Sequence, residues 1–450
     1  MSPVVIDGAH IVPVVGAEIL CGYMVLDHGR ITQMGSGPAP TLPEARRIDG
    51  RGCVATPGLV NTHNHLYQWA TQGLFADSTL FNWLVGSYEM WHQLDADVVA
   101  DTTTAGLAHL ALSGCTTASD HHYIYPSGRG DIVAAEVSAA RRVGLRLDLA
   151  RGSMDRGHSA GGLPPDSAVE TREGALSATE AAIDTYHDSA FDSMTRLAVA
   201  PCSPFSVSSE LMRDSAELAR AKGVRMHTHL AETVDEEERC LREFGCTPVE
   251  HAEKLGWLGR DVWLAHAVHL SDAAIQRIAA TGTGVAHCPS SNARLGAGIC
   301  RVPELVAAGV HVGLGVDGPA SSELTQLAGE MGQALLMARA RLGPTALSAR
   351  QALHMATLGG AHCLGRGEEI GSLETGKLAD VALWRIDGFG YDVIDDPVVA
   401  LTFGPPPPLE LLLVGGSPVV ERDELRTVSL GTAARTGRSA HRRLTQEVSG

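Results

Sequence analysis

The fold class this sequence predicts is α/β, a (β/α)8 barrel carrying a small β-sandwich built from both chain ends, and three observations point to it. Between residues 57 and 368, eight short apolar runs alternate with longer helix-like segments. The residues able to bind metal or move protons stand at the ends of these runs, where a barrel enzyme assembles its site. The two flanks, 1–56 and 369–425, read instead as short strands separated by glycine-rich turns.

Four strand-like runs open the chain: Val4-Val5-Ile6, Ile11 to Val14, Gly22 to Leu26 and Arg30 to Thr32. They make a sheet too small to close by itself. The eight barrel runs follow as Gly58 to Thr62, Cys115 to Ser119, Leu145 to Leu149, Leu197 to Ala200, Val224 to Met226, Val262 to Ala265, Gly284 to Ala286 and Val312 to Val316. Between them, Ala100 to Leu112 and Ser209 to Ala221 carry apolar residues at helical spacing, and Ser271 to Ala280 opens on a Ser-Asp cap signal. After a further helical stretch at Ala352 to Ala356, strand language returns from Ile370 to Trp384 and from Leu411 to Val420, which is expected to complete the N-terminal sheet. Pro405 to Pro408 reads as a rigid loop, and residues 426–450 as a helix or a loose tail.

A chain of 450 residues suits a large barrel plus an accessory domain, and 44% hydrophobic with 19% charged residues is ordinary for a globular protein. With 35 basic against 52 acidic side chains the net charge is −17, which argues against nucleic acid and favours a small neutral substrate. Nine cysteines without a CxxC pair read as reduced thiols, and neither a signal peptide nor a membrane span is evident. A cytoplasmic protein without a membrane partner is the expectation.

The stretch His227-Thr-His-Leu-Ala-Glu232 sets the chemistry. His-x-His is weak evidence in a chain with 20 histidines, and a pair on a polar surface turn is the competing reading. Placement favours function: His63 and His65 fall on one side of an extended segment at the first barrel run, because side chains alternate with period two. Adding His229 and Asp317, at the ends of runs five and eight, makes three imidazoles and a carboxylate, a set for one divalent metal. Zinc is favoured on ligand type, with iron or manganese open. Water on such a cation has a pKa of about 7.

Glu232, three residues beyond His229, is placed to carry protons, against the alternative of a solvated start to the acidic run Asp235 to Glu238. His266 can orient the nucleophile or stabilise charge; a lone histidine is also commonly a core residue. His121, His122, His227 and His269 are less well placed. No GxGxxG follows an early strand, GxxxxGK[ST] is absent, and no GxSxG forms a strand-to-helix elbow, so nucleotide-binding and serine-hydrolase chemistries lack their parts.

Five segments carry a family resemblance: Thr56 to His65, His227 to Thr233, Leu264 to His269, His287-Cys-Pro-Ser-Ser-Asn292 and Gly313 to Gly318. Together they resemble the amidohydrolase superfamily, in its cytosine/guanine deaminase and triazine hydrolase branch. Ser113 to Tyr123, Arg151 to Met154 with Gly161 to Pro165, and Ala200 to Ser206 look like the bacterial 8-oxoguanine deaminases within it. The resemblance implies one metal on His63, His65, His229 and Asp317, with Glu232, His266 and Asp317 catalytic, and a homo-oligomer. It further implies hydroxide attack at C2 of the purine, protonation of the adjacent ring nitrogen by Glu232, and release of ammonia and urate. Guanine, isoxanthopterin or an s-triazine losing amine or chloride are alternative substrates, and an inactive ligand-binding barrel is the alternative of another class. Two departures from the pattern are Asn64, where a third histidine is usual, and Pro319-Ala-Ser-Ser-Glu323 after the aspartate. Gln68, Trp83, His122 and Cys202 are candidates for the pocket wall, Trp83 being equally explicable as a helix-packing aromatic.

Overall fold

The computed structural model describes residues 2–446. Eight parallel strands close into a barrel: Leu59–Asn61, Cys115–His122, Arg146–Ser153, Thr195–Pro201, Arg225–Leu230, Val262–His266, Gly284–His287 and Val312–Leu314, with Leu314 pairing Asn61 to shut the ring. Nearly every strand residue is buried, as expected where one face fills the barrel and the other is covered by helices.

The helices start and stop on recognisable chemistry. The side chains of Asp95, Asp131, Thr171, Ser208, Thr233 and Ser271 each accept a backbone N–H three residues on, satisfying groups the helix leaves open. Left-handed glycines at 144, 223, 245 and 282 end four of them.

The expected sandwich takes the form of one curled sheet. Nine strands from both flanks join it, in the order Glu424–Leu425, Ser417–Glu421, Leu409–Val414, Val381–Arg385, Cys53–Pro57, Val4–Ile11, Ile19–Asp27 and Arg30–Ser36, while Arg46–Asp49 pairs on Val4–Ile11. Ile31 N–H donates to the Lys377 carbonyl at 2.9 Å and Ala379 N–H to that of Gly29 at 2.8 Å, which ties the far edge back. The curl encloses its own core, with Ile6, Met24, Ile31, Val381 and Leu411 among its members.

Local details differ from the sequence reading. The first strand runs unbroken from Val4 to Ile11, with Gly8 absorbed as a bulge. Of the stretch from Ile370 to Trp384 only Val381 onward is strand, because Gly371 and Gly376 adopt positive φ and turn the chain before it. Leu411 to Val420 is a hairpin around Gly415-Gly416, both left-handed. The C-terminal segment is a helix, Leu430–Gln446, packed on the helix Ala96–Leu112 and on the loop after the first barrel strand. The last four residues of the expected 426–450 segment, and Met1 of the expected 1–56 unit, lie outside the described residues.

Candidate active site

The carboxyl ends of the barrel strands converge on a cavity of about 380 Å³, lined by His65, Gln68, Trp83, Cys202, His229, Glu232, His266 and Asp317 together with apolar residues from the helix Leu80–Trp91. Backbone strain concentrates there. Ala231, His266, Ala267 and Asp317 all have φ between 48° and 69°, a conformation costing a non-glycine residue about 1–3 kcal/mol. Each stands just past a strand end, where the turn into the loop must be sharp to aim a side chain inward.

Hydrogen bonds fix the tautomer of four histidines. The Trp263 carbonyl accepts from His227 Nδ1 at 2.8 Å, so His227 Nε2 can only accept, and it lies 2.8 Å from His63 Nδ1. His63 Nδ1–H therefore donates, leaving a lone pair on Nε2, which is buried without a partner. His65 Nδ1 donates to the His121 carbonyl at 2.6 Å and His229 Nδ1 to the Cys202 carbonyl at 2.7 Å. Their Nε2 lone pairs then face each other at 3.1 Å, an approach no hydrogen bond between them explains. Asp317 Oδ1 lies 3.4 and 3.3 Å from Nε2 of His63 and His65. Three lone pairs and a carboxylate oxygen, each on a side chain held by hydrogen bonds on its far side, are the donor set a divalent cation requires.

Asp317 is itself anchored. Its Oδ2 accepts from Ser291 Oγ at 2.5 Å and Ser321 Oγ at 3.0 Å, and Oδ1 from Gly318 N–H at 2.7 Å. Burial opposes ionisation of Asp317, but the adjacent imidazoles of His63, His266 and His65 hold its carboxyl well below the usual range. Burial pushes Glu232 up to about 7, against the opposing charge of His266. Two carboxyls lining one cavity are thus separated into a standing base and a group poised near neutrality. His266 Nε2 lies 3.8 Å from Glu232 Oε2 and its Nδ1 meets Asn292 Oδ1 at 3.0 Å. Burial disfavours the imidazolium, but the Glu232 and Asp317 carboxylates reverse that and raise its pKa.

Among the expected wall residues, Gln68, Trp83 and Cys202 line the cavity. Neither amide atom of Gln68, nor Trp83 Nε1, has a hydrogen-bond partner in the protein. Gly318 gives Gln68 its room: a Cβ there would come within 1.8 Å of Gln68 Oε1. Burial pushes the Cys202 thiol up to about 12, so it is a neutral wall group. Trp83 also packs edge-on against Trp91, so both readings of it hold.

The structure does not bring His122 to the wall. The second barrel strand continues to His122, and alternation turns His121 inward and His122 outward, under the helix Ile132–Val143. There Nδ1 meets Glu136 Oε1 at 2.6 Å and Nε2 meets the Ile124 carbonyl at 2.8 Å. Asn64 also faces away, its Oδ1 accepting from His65 N–H at 2.7 Å. Of the other departure, Ser321 reaches the cavity, while Glu323 pairs with Arg294 at 3.0 Å. Sequence reasoning missed Tyr88, Tyr123, Phe205 and Leu295 in the wall. Only Ser291 and Asn292, in the Cys288-Pro-Ser-Ser-Asn292 stretch, carried a usable signal, a run of hydrogen-bonding side chains at a strand end.

Residues 54–406 match the model of the Amidohydrolase family. The chain belongs to that family. It is 43% identical to the 8-oxoguanine deaminase of Pseudomonas aeruginosa, over 88% of this chain and 89% of that one. It is 36% identical to an isoxanthopterin deaminase from an unknown prokaryote, covering 92% and 90%. The crystal structure of atrazine chlorohydrolase from Arthrobacter aurescens, complexed with zinc, superposes with a TM-score of 0.92 at 32% identity, over 97% of this chain and all of that one. This amidohydrolase is accordingly an enzyme that hydrolyses C–N bonds of cyclic amidines. Among its described residues no helix is long and apolar enough to cross a membrane.

Proposed function

We propose that this amidohydrolase deaminates 8-oxoguanine to urate and ammonia. The observation carrying the reaction type is the convergence of three imidazole lone pairs and Asp317 beside a carboxyl, Glu232, poised near neutrality. The substrate rests on the 43% identical relative. An apolar slot whose free polar groups, Gln68 and Trp83 Nε1, can meet the edge of a flat ring supports it.

His63, His65, His229 and Asp317 hold one divalent cation in this reading, zinc being favoured by the donor types and by the zinc in the atrazine chlorohydrolase structure. When bound, the cation supplies a water acidified to a pKa of about 7. Asp317 accepts the proton of the attacking oxygen and passes it to the departing ammonia. Glu232 protonates the ring nitrogen next to the attacked carbon, so that the ring and not the amine carries the electron pair during attack. His266, held by Asn292, faces the developing charge. Nine unpaired cysteines, eight of them buried, support a reducing, cytoplasmic setting. A homo-oligomer is also part of the proposal, to be read by light scattering.

The relative acting on isoxanthopterin favours that ring as the second reading. Ammonia release from 8-oxoguanine, guanine, isoxanthopterin, cytosine and an amino-triazine, with zinc-replete and chelator-treated protein, separates the two. Rapid, chelator-sensitive release from 8-oxoguanine above the other rings is expected. Turnover of another ring in preference would overturn the substrate, and no release from any would overturn the reaction.

A further inference from the structure

The turn carrying Glu232 is strained and has an unusual support. Ala231 is left-handed, with φ 54°, and its carbonyl accepts from the N–H groups of both Val268 and His269 at 2.9 Å, which staples the turn to the loop after the sixth strand. The N–H groups on the other side of the turn have no strand partner. Glu236 takes both: Oε1 accepts from Ala231 N–H at 2.8 Å and Oε2 from Glu232 N–H at 2.9 Å. Its side chain is buried, 1% exposed, and among the described residues no ion pair with a basic residue occupies it. Glu236 is the third residue of the helix that Thr233 caps, where a glutamate ordinarily reaches back to the N–H of the cap residue itself. Here it reaches one and two residues further, past the cap to the residue that bears the catalytic carboxyl.

From this geometry we infer that Glu236 is a positioning residue for Glu232: its carboxylate clamps two successive backbone N–H groups and so holds the strained turn that aims the Glu232 side chain into the cavity. The inference rests on the proposed role of Glu232 as proton carrier. A buried carboxylate without a cation is costly to keep, and two N–H donors only partly offset that cost. A helix cap alone would be served by Thr233, whose Oγ1 already meets Glu236 N–H at 3.4 Å. The second oxygen is needed only if both N–H groups must be held.

The test is Glu236→Gln in the zinc-loaded full chain, with Glu236→Ala as a second variant. Glutamine keeps the shape, offers one acceptor oxygen, and turns an NH2 group toward one of the two backbone N–H groups. Displacing a reacting group by about 1 Å costs on the order of 10²-fold in rate. A fall in kcat of about ten- to a hundredfold is expected, with KM within about twofold of wild type and zinc still at one equivalent. The substrate for this comparison is whichever ring of the panel the wild type turns over. A crystal structure of Glu236→Gln, read for φ at Ala231 and for the Glu232 to His266 separation of 3.8 Å, gives a second readout that does not depend on the ring. Unchanged kcat, an unmoved turn, or a loss of activity that follows loss of zinc would overturn the role of Glu236. Failure of the wild type on every ring would overturn the proposed function and leave the structural readout to decide for Glu236.

Discussion

The two ends of the barrel both bury charged and polar side chains, and they treat them in opposite ways. At the end facing the curled sheet, Arg146 forms a bidentate pair with Asp380, at 2.8 and 2.9 Å, and its Nη1 donates to the Asp192 and Ser193 carbonyls. Arg366 beside it donates to Glu369, Asp148 and the Ser193 carbonyl. Every nitrogen of both guanidinium groups has a partner. At the opposite end, His63 Nε2 and both amide atoms of Gln68 are buried without partners, and two imidazole lone pairs face each other. Since buried polar groups are nearly always satisfied, the unsatisfied end is where the protein expects a cation and a substrate.

The largest effect that sharpens this contrast is Glu232→Gln. Loss of a positioned acid–base group should lower kcat by about 10²–10⁴-fold, measured by ammonia release. Burial has already pushed this carboxyl up to about 7, so its ionised form is disfavoured in the folded state, and the thermal midpoint at pH 8 should be unchanged or higher. A large loss of stability would mean that Glu232 belongs to the satisfied kind. Asp380→Ala should do the reverse. It leaves Arg146 buried and unpaired, costing about 3–5 kcal/mol in denaturant unfolding while kcat of the protein that remains folded stays near wild type.

A smaller effect concerns a third cluster, between the two in character. Asp120 Oδ1 accepts from Leu66 N–H at 2.7 Å and so holds the start of the loop that carries Gln68, while Glu136 meets His122. Burial pushes Glu136 up to about 8 from the ordinary 4.5. Its contribution to stability is then full below about pH 4.5 and is lost as pH rises through about 8, because the folded state binds the proton more tightly over that window. Glu136→Gln should flatten the fall in stability between pH 5 and pH 8, on a scale set by the single group. An unchanged slope would show that Glu136 does not take up a proton in that window.

How much of this could be read from the residues depends on where each side chain's partner lies in the chain. The eight barrel strands were legible because each is a short apolar run, four of them leading to a residue with chemistry to do, and the metal candidates were legible because period two puts His63 with His65 and His227 with His229. His122 was misplaced because the second strand runs three residues beyond the Cys115 to Ser119 segment read from the sequence, which reverses which face it shows. The strands Arg46–Asp49 and Cys53–Pro57 left no signal: the first is charged and mostly exposed, the second is buried on every residue, and neither alternates. The wall formed by the helix Leu80–Trp91 was hidden in the same way. Its start has no side-chain cap, and its contacts to the cavity are set by packing against loops far away in sequence. Glu236 looked like one more charge in an acidic run until its two N–H partners were in view.

The central claim is that the unsatisfied end of the barrel is a cation site. Calorimetric titration of metal-free protein with zinc, with the melting temperature followed in parallel, tests it most directly. One equivalent should bind and raise the melting temperature, by an amount equivalent to about 4 kcal/mol when free zinc is a thousandfold above Kd, and both effects should disappear in His229→Ala and Asp317→Ala. Binding that survives both substitutions, or no binding to the wild-type chain, would contradict it.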